Sequence, residues 1–331
     1  MQFNSDNINL SNKNNILHEL SQNFDRMNIK EIEPTTQKNI HENIFEEDLN
    51  IVIDELLHIY FKELNEGIEK KVRKQNIIDY INNHKINLQE IIKWLLNNQN
   101  DSNSICLLGY FNYNGIEVDV NKQRALELFQ KATNLGNIIA ELNLINMYID
   151  GKGVSKDYDK AFELSKKLAN TGYPCGINLL GYCYYNGIGT VANTPKGVEL
   201  YQKTANLGNC LAEYNLAHIY KDGEGIEQDH DKAFELFKKS AEKDYSDGIT
   251  MLGYCYSNKI GTVVNKQKAF ESYQKAAALE NHYAQTYLAL MYENGDGIEK
   301  NIKQAIYWYK KSAKQGHDFA KFKVGELSSK E

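Results

Sequence analysis

A period of 36 residues runs through the last two thirds of the chain and constrains its fold more than any other feature. One small residue recurs in each unit at this spacing: Ala125, Ala161, Gly197, Ala233, Ala269 and Ala305. An aliphatic residue recurs with the same period: Leu108, Leu144, Leu180, Leu216, Leu252, Leu288 and Val324. Six units and a seventh half-unit therefore share one register without an insertion. Such a period is typical of solenoids, in which each unit buries its apolar face against its neighbours.

Each unit predicts two helices joined by a glycine turn. In the second unit Ala140, Leu144 and Tyr148 are four residues apart and share one helix face. Gly151 then allows the left-handed conformation that ends a helix. The second helix begins at an Asn or Asp that can cap its first turn: Asn121, Asp157, Asn193, Asp229, Asn265 and Asn301. We therefore predict an all-α fold for residues 104–331, a right-handed superhelix with the first helices inside.

The repeated residues resemble the Sel1-like repeat, a relative of the tetratricopeptide repeat. The matching positions in the second and sixth units are Ala140, Leu144, Tyr148, Gly151, Gly153, Val154, Asp157, Lys160 and Ala161, and Trp308, Tyr309, Lys311 and Ala313. The resemblance covers about residues 104–325. Four positions depart from the pattern and are expected to loosen single hairpins: Glu117 and Lys259 for a turn Gly, Asn112 for Tyr, and Gly197 for Ala. The resemblance implies a solenoid of Sel1-like, tetratricopeptide-like hairpins that binds proteins.

The residues before the repeats divide into two parts. Residues 1–40 are rich in Asn and poor in apolar side chains, so we predict a disordered tail. Residues 41–103 predict a helical capping and linker region, whose first helix has an amphipathic pattern: Phe45, Leu49, Val52, Ile53, Leu56, Leu57, Tyr60 and Leu64. Two more helices are predicted, over about 69–83 and after the capping pair Asn87 and Glu90. Segment 42–103 also resembles the region that joins a kinase-like domain to Sel1-like repeats in fungal signalling proteins.

Composition and motifs argue against several function classes. The net charge is −6 and no basic half exists, which argues against a nucleic-acid partner. The polar N-terminus and the absence of a long apolar run predict a cytoplasmic protein without a membrane span. Five cysteines lack metal-ligand spacing, and we predict no metal, no cofactor and no catalytic residue. Residues 187–192 formally fit a dinucleotide fingerprint, but the segment follows a helix and recurs as the repeat turn.

The predicted site is a concave groove lined by the first helices. In tetratricopeptide-like units the groove positions lie five and two residues before the repeated Leu, and two and five after it. This register selects Tyr110, Tyr113, Asn146, Tyr182, Tyr185, Tyr214, His218, Lys221, Tyr254, Ser257, Tyr283 and Glu293. Tyr supplies large, rigid contacts with a polar end, which favours a peptide-binding groove. The competing interpretation is that Tyr is common throughout, with 22 in the chain.

These observations predict a non-enzymatic adaptor or scaffold that binds a protein or peptide, with a protein kinase as one candidate partner. The alternative is a regulatory subunit that activates a membrane enzyme, as Sel1-like activators of chitin synthase do. An enzyme is the remote alternative. The sequence does not indicate an oligomeric state.

Overall fold

The computed structural model describes residues 46–328, which fold as sixteen helices without a strand. The predicted tail of residues 1–40 lies outside the described residues. The all-α prediction is confirmed, because the helices pair into hairpins that stack as a right-handed solenoid.

Three helices precede the repeats: α1 (Glu46–Glu66), α2 (Lys70–Asn83) and α3 (Leu88–Asn97). Six hairpins follow: α4 (Ser102–Asn114) with α5 (Lys122–Asn134), α6 (Ile138–Asp150) with α7 (Tyr158–Ala169), α8 (Pro174–Asn186) with α9 (Thr194–Asn206), α10 (Cys210–Asp222) with α11 (His230–Glu242), α12 (Ser246–Asn258) with α13 (Lys266–Ala278), and α14 (His282–Asn294) with α15 (Ile302–Lys314). The last helix, α16 (Asp318–Ser328), is the first helix of a seventh unit.

All six predicted N-caps of the second helices are formed. Each Asn or Asp side chain accepts a hydrogen bond from the backbone N–H three residues later, at 2.9 to 3.1 Å. Each such cap stabilises its helix by about 1 kcal/mol. Asn87 likewise caps α3, by accepting from the Gln89 N–H at 2.9 Å. The second helices therefore start where the local sequence predicts.

The glycine turn inside each hairpin also sets the distance between neighbouring hairpins. Gly151 ends α6 with φ at +71°, and Gly153 follows with φ at +78°. A Cβ on Gly153 would lie 2.6 Å from the carbonyl oxygen of Lys122, in the hairpin before. Glu117 and Lys259 replace glycines in two other turns and still adopt positive φ, which costs roughly 1–2 kcal/mol at each position.

The core is continuous along the stack because each helix packs on the next one in sequence. Between the fifth and sixth hairpins, Tyr273 and Ala276 of α13 pack with Leu288 and Met291 of α14. Full burial of each large side chain stabilises the fold by about 1.5–3 kcal/mol. The repeated small residues, such as Ala269 at zero exposure, let the helices approach closely.

Candidate protein-binding surface

Helix α1 lies along the concave face of the solenoid. Tyr60 packs on Tyr110 of α4 with ring centroids 4.6 Å apart. The Tyr60 hydroxyl donates to Oδ1 of Asn143 in α6 at 3.2 Å. Phe61 packs edge-on against Tyr173, just before α8, at 4.8 Å. This helix therefore contacts the first helices of three successive hairpins.

The last turn of α1 and the loop after it continue this path over two more hairpins. Nδ2 of Asn209, the residue that caps α10, donates to the carbonyl oxygen of Asn65 at 2.9 Å. The backbone N–H of Ser246, the first residue of α12, donates to the Glu69 carboxylate. We call residues 46–83 the N-terminal hairpin. It spans the first five repeat hairpins on the side formed by their first helices.

The N-terminal hairpin covers the first two residues of the predicted groove. Tyr110 is 1% exposed and Tyr113 is 6% exposed. Burial raises the pKa of the Tyr110 hydroxyl, which has no hydrogen-bond partner among the described residues. The ammonium of Lys70, from α2, lies 4.0 Å from the ring centroid of Tyr113. Both tyrosines are therefore interior residues, contrary to the expectation that they line an open groove.

The rest of the predicted register remains accessible. We define the open concave surface by Tyr182, Tyr185, Tyr214, His218, Lys221, Tyr254, Ser257 and Tyr283. Tyr182 is 38% exposed and Tyr283 is 50% exposed, whereas the other members are half-buried. The Tyr254 ring contacts the Tyr287 ring, with the two centroids 6.0 Å apart. This surface runs from α8 to α14.

Three polar members of the predicted groove are already engaged. The Tyr185 hydroxyl donates to the Glu224 carboxylate. Glu293 accepts hydrogen bonds from the Tyr309 hydroxyl at 2.7 Å and the Lys323 ammonium at 2.8 Å, so it joins the last three helices. Nδ2 of Asn146, which is exposed, donates to a carbonyl of its own helix at 3.0 Å. Of these three, Glu293 is the least suited to bind a ligand, because both of its carboxylate oxygens already bond to the last two helices.

His218 lies in the middle of the open concave surface but is neutral. Its imidazole packs against Tyr214 at 4.7 Å and Phe237 at 5.1 Å between ring centroids. Burial, assisted by the positive charge of Lys221, lowers the His218 pKa to about 4. Nε2 has no hydrogen-bond partner among the described residues. An uncharged, partly enclosed imidazole suits an apolar or hydrogen-bonding ligand better than an anion.

No group of three or more His, Cys, Asp or Glu side chains in residues 46–328 could hold a metal ion. The five cysteines are buried as free thiols, and burial raises the pKa of Cys175 and Cys210 to about 12. None of the helices in this range combines the length and apolar character needed to cross a bilayer.

Several contact residues of the concave face were not selected from the sequence. Cys175, Asn178 and Leu211 occupy groove positions of the same register, but the set predicted from the sequence does not include them. Asn209 is a different case. In its register, Asn137 and Asn281 donate from Nδ2 to the preceding repeat, whereas Asn209 donates to the N-terminal hairpin. The repeat pattern alone does not predict this change of hydrogen-bond partner at Asn209.

The paired helices, the shared register and the concave face define an α-helical solenoid. The chain belongs to the Sel1 repeat family, whose model matches residues 102–137, 140–173, 176–209, 210–245, 246–281 and 282–317. Solenoids of this family are generally modules for protein interaction and not enzymes. The recognition of Sel1 repeats from the sequence is thereby confirmed.

Two solved structures illustrate the similarity. A Sel1 repeat protein from Oxalobacter formigenes is 23% identical with a TM-score of 0.59, over 79% of this chain and 96% of that one. The protein c5321, a protective antigen present in uropathogenic Escherichia coli strains, is 28% identical with a TM-score of 0.51. That match covers 87% of this chain and 68% of the antigen. Among curated proteins no match was found.

Proposed function

We propose that this protein is a non-enzymatic adaptor that binds a helix or extended segment of a partner protein on its open concave surface. The observation that carries the proposal is the position of α1. The first helices of the solenoid already hold an amphipathic helix of their own chain, and its contacts include the groove positions Tyr110 and Cys175. The open concave surface repeats these positions without such an occupant among the described residues.

The tyrosines of this surface supply the binding chemistry. Tyr182 and Tyr283 expose large, rigid side chains near its two ends. Such side chains lose little conformational entropy on binding and combine an apolar ring with a hydroxyl. Aromatic anchors of this kind usually contribute most of the affinity of a protein interface.

The biological setting that we propose is cytoplasmic kinase signalling. Its support is the resemblance of segment 42–103 to the linker of fungal kinase-like proteins with Sel1-like repeats. Activation of a membrane enzyme such as chitin synthase is the alternative, and the identity of the captured partner decides between the two.

The test is affinity capture with a double variant, Tyr182→Ala with Tyr283→Ala. We expect partner capture to fall at least about tenfold, as for the loss of two interface anchors. The matched control is Tyr158→Ala with Tyr307→Ala, on second helices α7 and α15, where the two tyrosines are 38% and 49% exposed. Quantitative mass spectrometry of crosslinked partners measures the capture by each double variant.

The two double variants remove equal aromatic area from opposite faces of the solenoid. Far-ultraviolet circular dichroism should be unchanged in both, because none of the four residues is buried. If the control variant loses partner capture while the Tyr182 and Tyr283 variant keeps it, the binding site lies on the outer face and not on the open concave surface.

A further inference from the structure

A cavity of about 450 Å³ lies where the N-terminal hairpin crosses the concave face. Its solenoid side is formed largely by Leu142, Leu179 and Leu211, from three successive first helices. The hairpin side is formed by the loop after α1 and the first turn of α2. The volume is within the range of ligand pockets, about 300–1,000 Å³.

The first turn of α2 gives this cavity a positive rim. Lys70, Lys71 and Arg73 line it, and the turn contains no acidic residue. Glu69, at the N-cap position, does not cap α2, because its carboxylate accepts from the Ser246 N–H instead. Helices usually place acidic side chains at this end, where the backbone N–H groups and the helix dipole are positive. The Glu69 carboxylate also lines the cavity, but it is engaged by the Ser246 N–H, and the three cationic side chains outnumber it. The backbone N–H groups and the net positive charge of this rim therefore favour an anion.

Neighbouring charges strengthen the positive potential. Lys122 and Lys152 lie near Lys70, and Asp150 is the carboxylate that pairs with Lys152, at 2.6 Å. The Lys70 pKa is lowered to about 8, first by burial of its ammonium and then by the nearby positive charges of Lys122 and Lys152. This concentration of cations contrasts with the net charge of −6 of the whole chain.

Asn178 supplies an independent sign of a ligand. It is 8% exposed, it lines the cavity, and its Oδ1 is buried without a partner among the described residues. A buried amide oxygen needs a hydrogen-bond donor. A peptide N–H can satisfy it, whereas a fully ionised inorganic anion offers no donor.

We propose that this cavity binds an acidic peptide segment of the partner. One or two carboxylates contact Lys70, Lys71 and the N-terminus of α2, a backbone N–H donates to Asn178, and an apolar side chain packs on Leu179. The inference rests on the proposed function, because the cavity is part of the same concave face, and it names the chemistry of the partner segment.

The test measures fluorescence anisotropy of two labelled hexapeptides on the full chain, one alternating Glu with Leu and the other alternating Gln with Leu. We expect the Glu peptide to bind at least about tenfold more tightly, since charged hydrogen bonds are the stronger ones. Lys70→Gln with Lys71→Gln should remove this preference. Lys70→Arg with Lys71→Arg should retain it, because the charge is kept.

The matched control is Lys238→Gln with Lys239→Gln, two exposed neighbouring lysines on α11. It should bind the Glu peptide as the wild type does. Equal binding of both peptides, or equal loss in the two Gln variants, would overturn the proposal. Displacement of the Glu peptide by an equal concentration of inorganic phosphate would also overturn it, by assigning the site to a simple anion.

The same titration separates this inference from the proposed function. Tyr182→Ala with Tyr283→Ala should keep the affinity for the Glu peptide, because neither tyrosine lines the cavity. If that variant also keeps full partner capture while the Glu peptide binds as expected, the open concave surface fails as the main interface and the acidic-peptide site stands.

Discussion

His218 shows how one buried group makes the stability of the solenoid depend on pH. Its pKa is lowered to about 4, against 6.5 for the unperturbed group, mainly because burial disfavours the charged ring. Lys221 lowers it further, and the carboxylates of Asp222 and Glu224 oppose the shift. Between these pH values the unfolded chain binds a proton that the folded chain does not. Folding stability is therefore lost as the pH falls from about 6.5 towards 4.

The first prediction concerns this residue. His218→Phe should reduce the loss of unfolding free energy between pH 7 and pH 4.5 by about 2 kcal/mol, because the unfolded state no longer gains that proton. Urea denaturation at the two pH values measures it. The control is His230→Phe, at an exposed histidine of α11. An unchanged pH dependence in the His218 variant would mean that the imidazole is not held neutral.

At the scale of elements, the N-terminal hairpin is fixed by a close approach at Gly67. This residue has φ at +78°, and a Cβ there would lie 2.6 Å from Oδ1 of Asn209 and 2.8 Å from the Leu211 nitrogen. Gly172 has a similar φ of +83° but no atom within 4 Å of the added carbon. Substitutions at these two glycines therefore distinguish the cost of backbone strain from the cost of a steric clash.

The second prediction uses this pair. Gly172→Ala should cost only the strain of a left-handed residue, roughly 1–2 kcal/mol. Gly67→Ala should cost about 1–3 kcal/mol more, because the methyl group collides with α10. Hydrogen–deuterium exchange should accelerate in α1 and α2 in the Gly67 variant alone. Equal exchange of these helices in both variants would show that the hairpin does not depend on this contact.

At the scale of the whole molecule, the N-terminal hairpin changes how the solenoid should unfold. Units of a solenoid contact only their neighbours, which allows the ends to unfold separately. Here residues 60–69 connect the first five hairpins, whereas within residues 46–328 no hydrogen bond or ring contact joins them to the sixth hairpin. Cooperativity should therefore be stronger over hairpins one to five than at the C-terminal end.

The third prediction compares two leucines that are both fully buried, Leu216 in α10 and Leu288 in α14. Replacement by Ala should cost about 2–5 kcal/mol at either site, through a cavity. The Leu288 variant should unfold in two steps, whereas the Leu216 variant should unfold the first five hairpins together. The two tryptophans, Trp94 in α3 and Trp308 in α15, report on opposite ends in single-tryptophan versions of each variant. Coincident midpoints at both tryptophans in the Leu288 variant would contradict this pattern.

The sequence by itself determined the repeat register, the sixteen-helix architecture in outline and the caps that start the second helices. Asn121 and Gly151 could be assigned their roles because caps and turns depend on residues three to five positions away. The buried Leu288 and Ala269 were predictable for a related reason, since each repeat meets a neighbour with the same pattern of small and aliphatic residues 36 residues on. The resemblance to the Sel1-like repeat was carried by the residues that recur in this register, such as Tyr148 and Gly153.

Only the tertiary structure decided what fills the concave face. The pattern of Leu49, Ile53 and Leu56 predicts a helix that buries one side, but it does not specify the surface against which that side packs. The bond from Asn209 to Asn65 joins residues 144 positions apart, whereas the equivalent Asn137 and Asn281 donate to the repeat before them. Tyr110 is buried and Tyr182 is exposed at the same register position, because α1 covers one and not the other. Accessibility depends on contacts between distant segments, and a local period carries no information about them.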